Sequence, residues 1–136
     1  MKQVFRNILA LISGIVTGSI INMGLVNLGG SVIPPPPGSD LNTMEGLKAA
    51  MAAMEPKHFL FPFLAHALGT LTGAYVAARI GAGRKMILAM AVGCFFLVGG
   101  VYMVMSLPSP LWFNVLDLAG AYLPMAFVGA KLAGAK

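Results

Sequence analysis

Charged residues are scarce in this chain, and their scarcity excludes several classes of protein. Only 10% of the 136 residues are charged, whereas 58% are hydrophobic. A soluble domain carries about 25% charged residues, which it needs to cover a surface that faces water. The 9 Lys and Arg residues are spread along so apolar a chain that they form no basic stripe for a phosphate backbone. The composition therefore excludes an ordinary soluble domain and predicts no nucleic-acid partner.

Cysteine is almost absent as well. The single cysteine, Cys94, lies within an apolar run, which excludes disulfide frameworks, CxxC redox pairs and thiolate zinc sites. No nucleophile elbow or phosphate-binding loop occurs elsewhere in the chain. Glu55 and His58 have the E-x-x-H spacing of carboxylate-bridged metal centres, but no second motif accompanies them. We therefore expect no metal site, and no cofactor is indicated.

Long apolar runs are abundant, and four of them are long enough to cross a bilayer. A spanning helix needs roughly 20 apolar residues, since each adds about 1.5 Å towards a hydrocarbon core about 30 Å thick. The sequence predicts an all-α integral membrane protein with the lipid bilayer as its first partner. We expect one domain over residues 1–136, whose four transmembrane helices cover residues about 7–30, 58–80, 86–106 and 110–132.

The basic residues predict the orientation of the chain. Seven of them lie at the two termini or between the second and third spans: Lys2, Arg6, Arg79, Arg84, Lys85, Lys131 and Lys136. All these positions fall on one side of a four-span arrangement. The positive-inside rule then predicts a multi-pass cell-membrane protein with both termini in the cytoplasm.

The outer loop of residues 31–57 is the only long connection. Four prolines, Pro34 to Pro37, force an extended backbone because each fixes φ and removes a donor. Asn42 and Glu45 then have the spacing of a helix-capping box. Apolar residues at helical intervals predict a short interfacial amphipathic helix over residues about 43–54. It either links two spans or covers the mouth of the bundle.

Small residues and prolines describe the packing of the predicted spans. Small side chains allow close approach of helices in lipid, and they recur at four-residue spacing at Gly14, Gly18, Ala65, Gly69, Gly73 and Ala77. These ridges predict tight contacts, either within one chain or in a homo-oligomer. Pro62 and Pro124 each free a carbonyl one turn earlier, so we expect each to bend its helix.

Polar residues lie at a shared depth in three of the predicted spans. Asn22, His66 and Asp117 each fall seven or eight residues, roughly 10–12 Å, from the outer end of their helix. An intramembrane carboxylate is costly unless it is paired, solvated or protonated. No intramembrane Lys or Arg is available, so Asp117 should contact His66, water or a bound cation. Tyr122 and Trp112 are interpreted as packing or interfacial aromatic residues.

These residues predict an outward-facing polar pocket. We expect Asn22, His66 and Asp117 to line it, Asn27 and Asn114 to lie at its rim, and His58, Glu45 and Glu55 to approach from above. The first hypothesis is a protein that binds or transports a small molecule, a cation or a proton. The second is a membrane-embedded enzyme that uses His66 and Asp117 as acid and base on a lipid-like or quinone-like substrate. The third is a noncatalytic membrane scaffold or accessory subunit.

Overall fold

The structure, a computed structural model, describes all residues 1–136 and contains six α-helices and no strand. The helices are α1 (Lys2–Val32), α2 (Met44–Met51), α3 (Leu60–Ile80), α4 (Lys85–Ser106), α5 (Leu111–Gly120) and α6 (Leu123–Leu132), and a 3-10 turn over Pro56–Phe59 leads into α3.

Four segments are long and apolar enough to cross a membrane: Lys2–Val32, Pro56–Ile80, Lys85–Ser106 and Leu111–Leu132. This confirms the prediction of four long apolar helices in an all-helical fold. The first helix extends beyond the predicted 7–30 at both ends, since residues 2–6 and 31–32 are helical as well.

Helix α3 lies at the centre of the bundle and packs most extensively on α1. A Cβ atom added at Gly14 would lie 2.5 Å from the carbonyl oxygen of Gly73, and one at Gly18 would lie 2.7 Å from that of Gly69. The two predicted ridges therefore contact each other within one chain. Self-association through these ridges would require them to separate first.

The opposite face of α3 packs on α4 and α6, again through small side chains. Ala74 and Ala78 of α3, Ala89 of α4, and Ala126 and Ala130 of α6 are all fully buried in one cluster. Large apolar side chains lie outside instead, as Ile12, Val16 and Ile20 do on α1. The small residues of α6 continue the packing surface, although the sequence analysis did not single them out.

The fourth long segment is broken. Helix α5 ends at Gly120 and α6 begins at Leu123, with Pro124 in the first turn of α6. Pro124 was expected to bend its helix, and the structure has a break there instead. Pro62 does not interrupt its helix, because it lies in the first turn of α3, where backbone N–H groups have no helical partner to lose.

The basic end of the molecule, where both termini lie, is closed by hydrogen bonds to helix ends. Arg6 Nε donates to the carbonyl of Ile80 over 2.6 Å, and Lys85 Nζ donates to that of Ala133 over 2.9 Å. Both carbonyls lie at helix C-termini, where positive charge is favourable. The structure thus places these predicted cations at one end.

The loop end, opposite the basic end, carries residues 33–55 and α2. The residue that caps α2 is Thr43, whose Oγ1 accepts a hydrogen bond from Gly46 N over 3.0 Å. The prediction of Asn42 as the cap is wrong by one position, because Asp40 accepts hydrogen bonds from Asn42 N and Thr43 Oγ1 and so fixes the turn before the helix. Helix α2 is also shorter than the predicted 43–54.

Candidate functional site

A cavity of about 270 Å³ opens at the loop end of the bundle. Its walls are contributed by every helix except α6, and they are mainly apolar: Val26, Ile33, Leu47, Met51, Phe61, Met103, Val104 and Phe113. The polar lining is limited to Lys57, His58, His66, Ser109, Asn114 and Asp117. The sequence predicted a polar pocket, whereas the structure has an apolar cavity with a few polar groups.

His66 and Asp117 meet among the residues that line this cavity. His66 Nδ1 lies 2.8 Å from Asp117 Oδ1 and 3.0 Å from Oδ2. The side chain of Asp117 is 4% exposed and that of His66 is 23% exposed. The carboxylate is therefore buried behind the imidazole, which is the more accessible of the two.

Tyr122 completes the polar cluster. Its hydroxyl donates to Asp117 Oδ2 over 2.9 Å, and its ring stacks on that of His66 with centroids 5.6 Å apart. Tyr122 is 2% exposed, so the interpretation of this residue as a simple packing or interfacial aromatic is wrong. Gly100 of α4 makes room for it, since a Cβ there would lie 2.5 Å from the Tyr122 hydroxyl oxygen. We call His66, Asp117 and Tyr122 the buried triad.

The hydrogen bonds of the buried triad leave one ring nitrogen of His66 free to contact a ligand. With Asp117 ionised, His66 Nδ1 carries a hydrogen and donates it to the carboxylate. His66 Nε2 makes no hydrogen bond within the protein, and the His66 side chain lines the cavity. In this state Nε2 is an acceptor, and the triad carries one negative charge with no Lys or Arg bonded to it.

Asn22 and Asn27, which were predicted to belong to the pocket, do not line it. Asn22 faces α3, where a Cβ added at Gly69 would lie 3.2 Å from the Asn22 Cβ. Asn27 is exposed, and its backbone carbonyl accepts a hydrogen bond from Ser31. The sequence predicted the depth of Asn22 but not the direction in which its side chain points. In the structure this side chain lies at the contact between α1 and α3.

Asn114 and His58 do line the cavity, nearer its mouth. Asn114 Oδ1 accepts from Ser109 Oγ over 2.6 Å, which fixes the loop before α5. His58 Nδ1 accepts from Glu55 N over 2.8 Å, and its Nε2 lies 3.2 Å from the carbonyl of Pro34. His58 therefore ties the proline-rich loop to the start of α3.

Glu45 and Glu55 do not line the cavity, contrary to prediction. Glu45 is exposed in the first turn of α2. Glu55 is exposed at the N-cap of the 3-10 turn and lies 3.4 Å from Lys57 Nζ. No three His, Cys, Asp or Glu side chains converge anywhere in the chain.

Comparison of the chain with protein family models, with curated proteins and with solved structures found no match.

Proposed function

We propose that this chain is a multi-pass membrane protein that binds a small amphipathic cation in the cavity at the loop end and transports it, with a proton competing for the same site. The observation that carries the proposal is the buried triad: an almost fully buried carboxylate beside an apolar cavity, held by His66 and Tyr122 but by no Lys or Arg.

The placement in a membrane is supported by the distribution of side-chain size. The bundle buries alanine and glycine and exposes large apolar residues, which is favourable in lipid and unfavourable in water. We propose that both termini and the basic end face the cytoplasm and that the loop end faces outward. Helix α2 then lies at the outer interface, with Leu47 and Met51 directed at the cavity.

A cation is the ligand that the charge of the site favours. In a medium of low dielectric constant, an uncompensated carboxylate costs several kcal/mol, which a positive ligand charge offsets. Lys57 does not serve this purpose, because its side chain is 58% exposed and its ammonium group lies next to Glu55. The apolar walls favour a hydrocarbon or aromatic body attached to the charged group.

A proton competes with such a ligand because His66 Nε2 is unpartnered. A proton on Nε2 makes the histidine positive and the triad neutral, which removes the charge that attracts the ligand. The other titratable or charged groups around the cavity are Lys57 and His58 at its mouth and the triad's own Asp117 and Tyr122. A proton on Nε2 and a bound cation therefore neutralise the same charge, so we expect them to exclude each other.

The binding proposal is tested with two probes that differ only in charge. Wild-type protein in lipid nanodiscs is titrated calorimetrically with 4-phenylbutylammonium and with neutral 4-phenylbutanol at pH 7.5. We expect the ammonium to bind about 10- to 100-fold more tightly, because a hydrogen bond to a charged group contributes about 1.5–3 kcal/mol. Equal affinities would contradict a site built for a cation.

Two acidic positions give a matched pair of variants for this experiment. Asp117→Asn removes the buried charge and should abolish the preference for the ammonium probe. Glu45→Gln removes an exposed acid that does not line the cavity and should leave the preference unchanged. If neither variant alters binding, the triad is not the site, and the scaffold hypothesis takes its place.

Transport requires a second measurement, made in proteoliposomes that enclose a pH-sensitive dye. The break in the fourth long segment lies beside the triad and supplies a place where the protein could change shape. We expect an outward gradient of 4-phenylbutylammonium to drive protons inward in wild-type vesicles and not in Asp117→Asn vesicles. Binding without proton movement would restrict the protein to a binding function.

A membrane-embedded acid–base enzyme is the second candidate, and one observation favours it. An imidazole whose Nδ1 is held by a buried carboxylate and whose Nε2 is free has the arrangement of a general base. A lipid-like or quinone-like substrate would fit the apolar walls. Conversion of such a substrate by wild type and not by His66→Gln would support this function over transport.

A further inference from the structure

The break between α5 and α6 leaves backbone oxygens without their usual partners. The carbonyl of Leu118 would ordinarily accept from Tyr122 N, but that N–H donates to no backbone carbonyl. The carbonyl of Gly120 loses its partner because Pro124 has no N–H. The carbonyl of Ala121 accepts no backbone hydrogen bond either. These oxygens lie at the C-terminus of α5, where the helix dipole favours positive charge.

A buried hydroxyl without a partner lies on the neighbouring helix α3. Thr70 of α3 is 1% exposed, and its Oγ1 has no hydrogen-bond partner. Such an orphaned polar atom is uncommon, since most buried side-chain oxygens are satisfied. Thr70 lies one turn after His66, and helical side chains lean towards the N-terminus of their helix, so its hydroxyl leans towards the triad.

Contacts on either side of Thr70 place it against the break. Ala67, three residues earlier on α3, packs with Ala121 and Tyr122. Ala74, four residues later, packs with Ala126 of α6. Residues 67, 70 and 74 lie on one helical face, so Thr70 lies between these two contacts and opposite the first turn of α6.

We propose that Thr70 Oγ1, the Asp117 carboxylate and the freed carbonyls of Leu118, Gly120 and Ala121 form a second, inner site for a small dehydrated cation such as Na⁺. Unwound carbonyls and a helix C-terminus beside a carboxylate are groups that coordinate such ions at broken membrane helices. One carboxylate is present, so a monovalent ion neutralises the site whereas a divalent ion leaves excess charge in a buried region. The inner site shares Asp117 with the cavity but requires no ligand there.

The experiment measures sodium-specific stabilisation of the full chain in detergent. Thermal unfolding is followed in NaCl and in N-methyl-D-glucamine chloride at equal ionic strength, because the organic cation is too large for the inner site. At sodium concentrations tenfold above the dissociation constant, we expect Tm to rise by roughly 4 °C. Binding of ²²Na⁺ to the same preparation gives a direct readout.

Variants at two threonines of α3 test the assignment of Oγ1. Thr70→Val removes the buried hydroxyl with little change of shape and should abolish both the sodium-dependent Tm shift and ²²Na⁺ binding. Thr70→Ser retains the hydroxyl and should preserve them. Thr72→Val, at a half-buried position on another face of α3, is the matched control and should behave as wild type.

Two results would overturn the inner site. One is an equal Tm of the wild type in the two salts, with no ²²Na⁺ bound. The other is a full sodium response in Thr70→Val. Binding of 4-phenylbutylammonium by Thr70→Val separates this inference from the proposed function, because the outer cavity does not include Thr70. In sodium-free buffer that probe should bind to the variant as it does to wild type.

Discussion

The contact between α1 and α3 yields a quantitative prediction for Gly14→Ala. The new Cβ would lie 2.5 Å from the Gly73 carbonyl oxygen and 2.9 Å from Ala77 Cβ, whereas ordinary contacts begin near 3.4 Å. The helices must therefore separate locally by roughly 1 Å, which forfeits a quarter to a half of the dispersion attraction there. Overpacking of this kind costs about 1–3 kcal/mol, and alanine recovers about 1 kcal/mol of helix propensity. We expect a net loss of up to about 2 kcal/mol in the free energy of unfolding.

Another glycine of the same helix supplies the control. At Gly24 an added Cβ meets nothing within 4 Å, so Gly24→Ala gains propensity without a clash and should stabilise by up to about 1 kcal/mol. The free energy of unfolding is measured in mixed micelles by titration with SDS, with circular dichroism as the signal. The reasoning is refuted if Gly14→Ala is as stable as Gly24→Ala. Light scattering should show an unchanged mass for Gly14→Ala, because the contact lies within one chain.

Three further predictions concern the cavity and the orientation. Gly100→Ala should displace the Tyr122 hydroxyl and weaken calorimetric binding of 4-phenylbutylammonium about tenfold. Gly99→Ala is the control, because a Cβ atom there meets nothing within 4 Å, and it should bind the probe as wild type does. Equal binding by the two variants would show that Tyr122 is not needed. His58→Ala removes the hydrogen bond to the Pro34 carbonyl and should speed amide hydrogen exchange across residues 33–55. Unchanged exchange would mean that other contacts hold the loop. A reporter enzyme fused at either terminus should read cytoplasmic, and an external signal from either would contradict the orientation.

Much of the fold could be predicted because it depends on local properties of the sequence. The length and hydropathy of the apolar runs predict four long helical segments, and all four are present, the fourth with a break. Proline chemistry predicts a disturbance at Pro124, because proline has no backbone N–H and a fixed φ in any helix; a bend was expected, and the structure has a break. The boundaries of α1 and α2 were less accurate, because helix ends depend on capping atoms such as Thr43 Oγ1 and on neighbouring turns.

The candidate site was predictable only where depth alone was sufficient. His66 and Asp117 were expected at one level, and the structure brings them into direct contact. Asn22 shares that depth but faces Gly69, because depth along a helix says nothing about which neighbour its face meets. Glu45 and Glu55 were expected above the pocket from their position in the chain, and both lie on the exposed surface instead.

Tyr122 shows most clearly what the sequence could not indicate. In an unbroken helix, residues five apart point roughly 140° away from each other, so Asp117 and Tyr122 would not share a face. The break at Ala121 and Tyr122 changes that direction and allows the hydroxyl to reach the carboxylate. No pattern of spacing signals this contact, because it exists only once the helix is interrupted.

The sequence by itself determined that this chain has four long apolar helical segments, with seven of its nine cations at one end and one carboxylate within an apolar run. These properties depend on length, hydropathy and proline chemistry, which each segment carries alone. Only the tertiary structure decided that the glycine ridges meet within one chain, that the cavity is walled by apolar side chains, and that Tyr122 joins His66 and Asp117. Those outcomes depend on how the helices rotate and approach one another, and that is set by side chains from several distant segments at once.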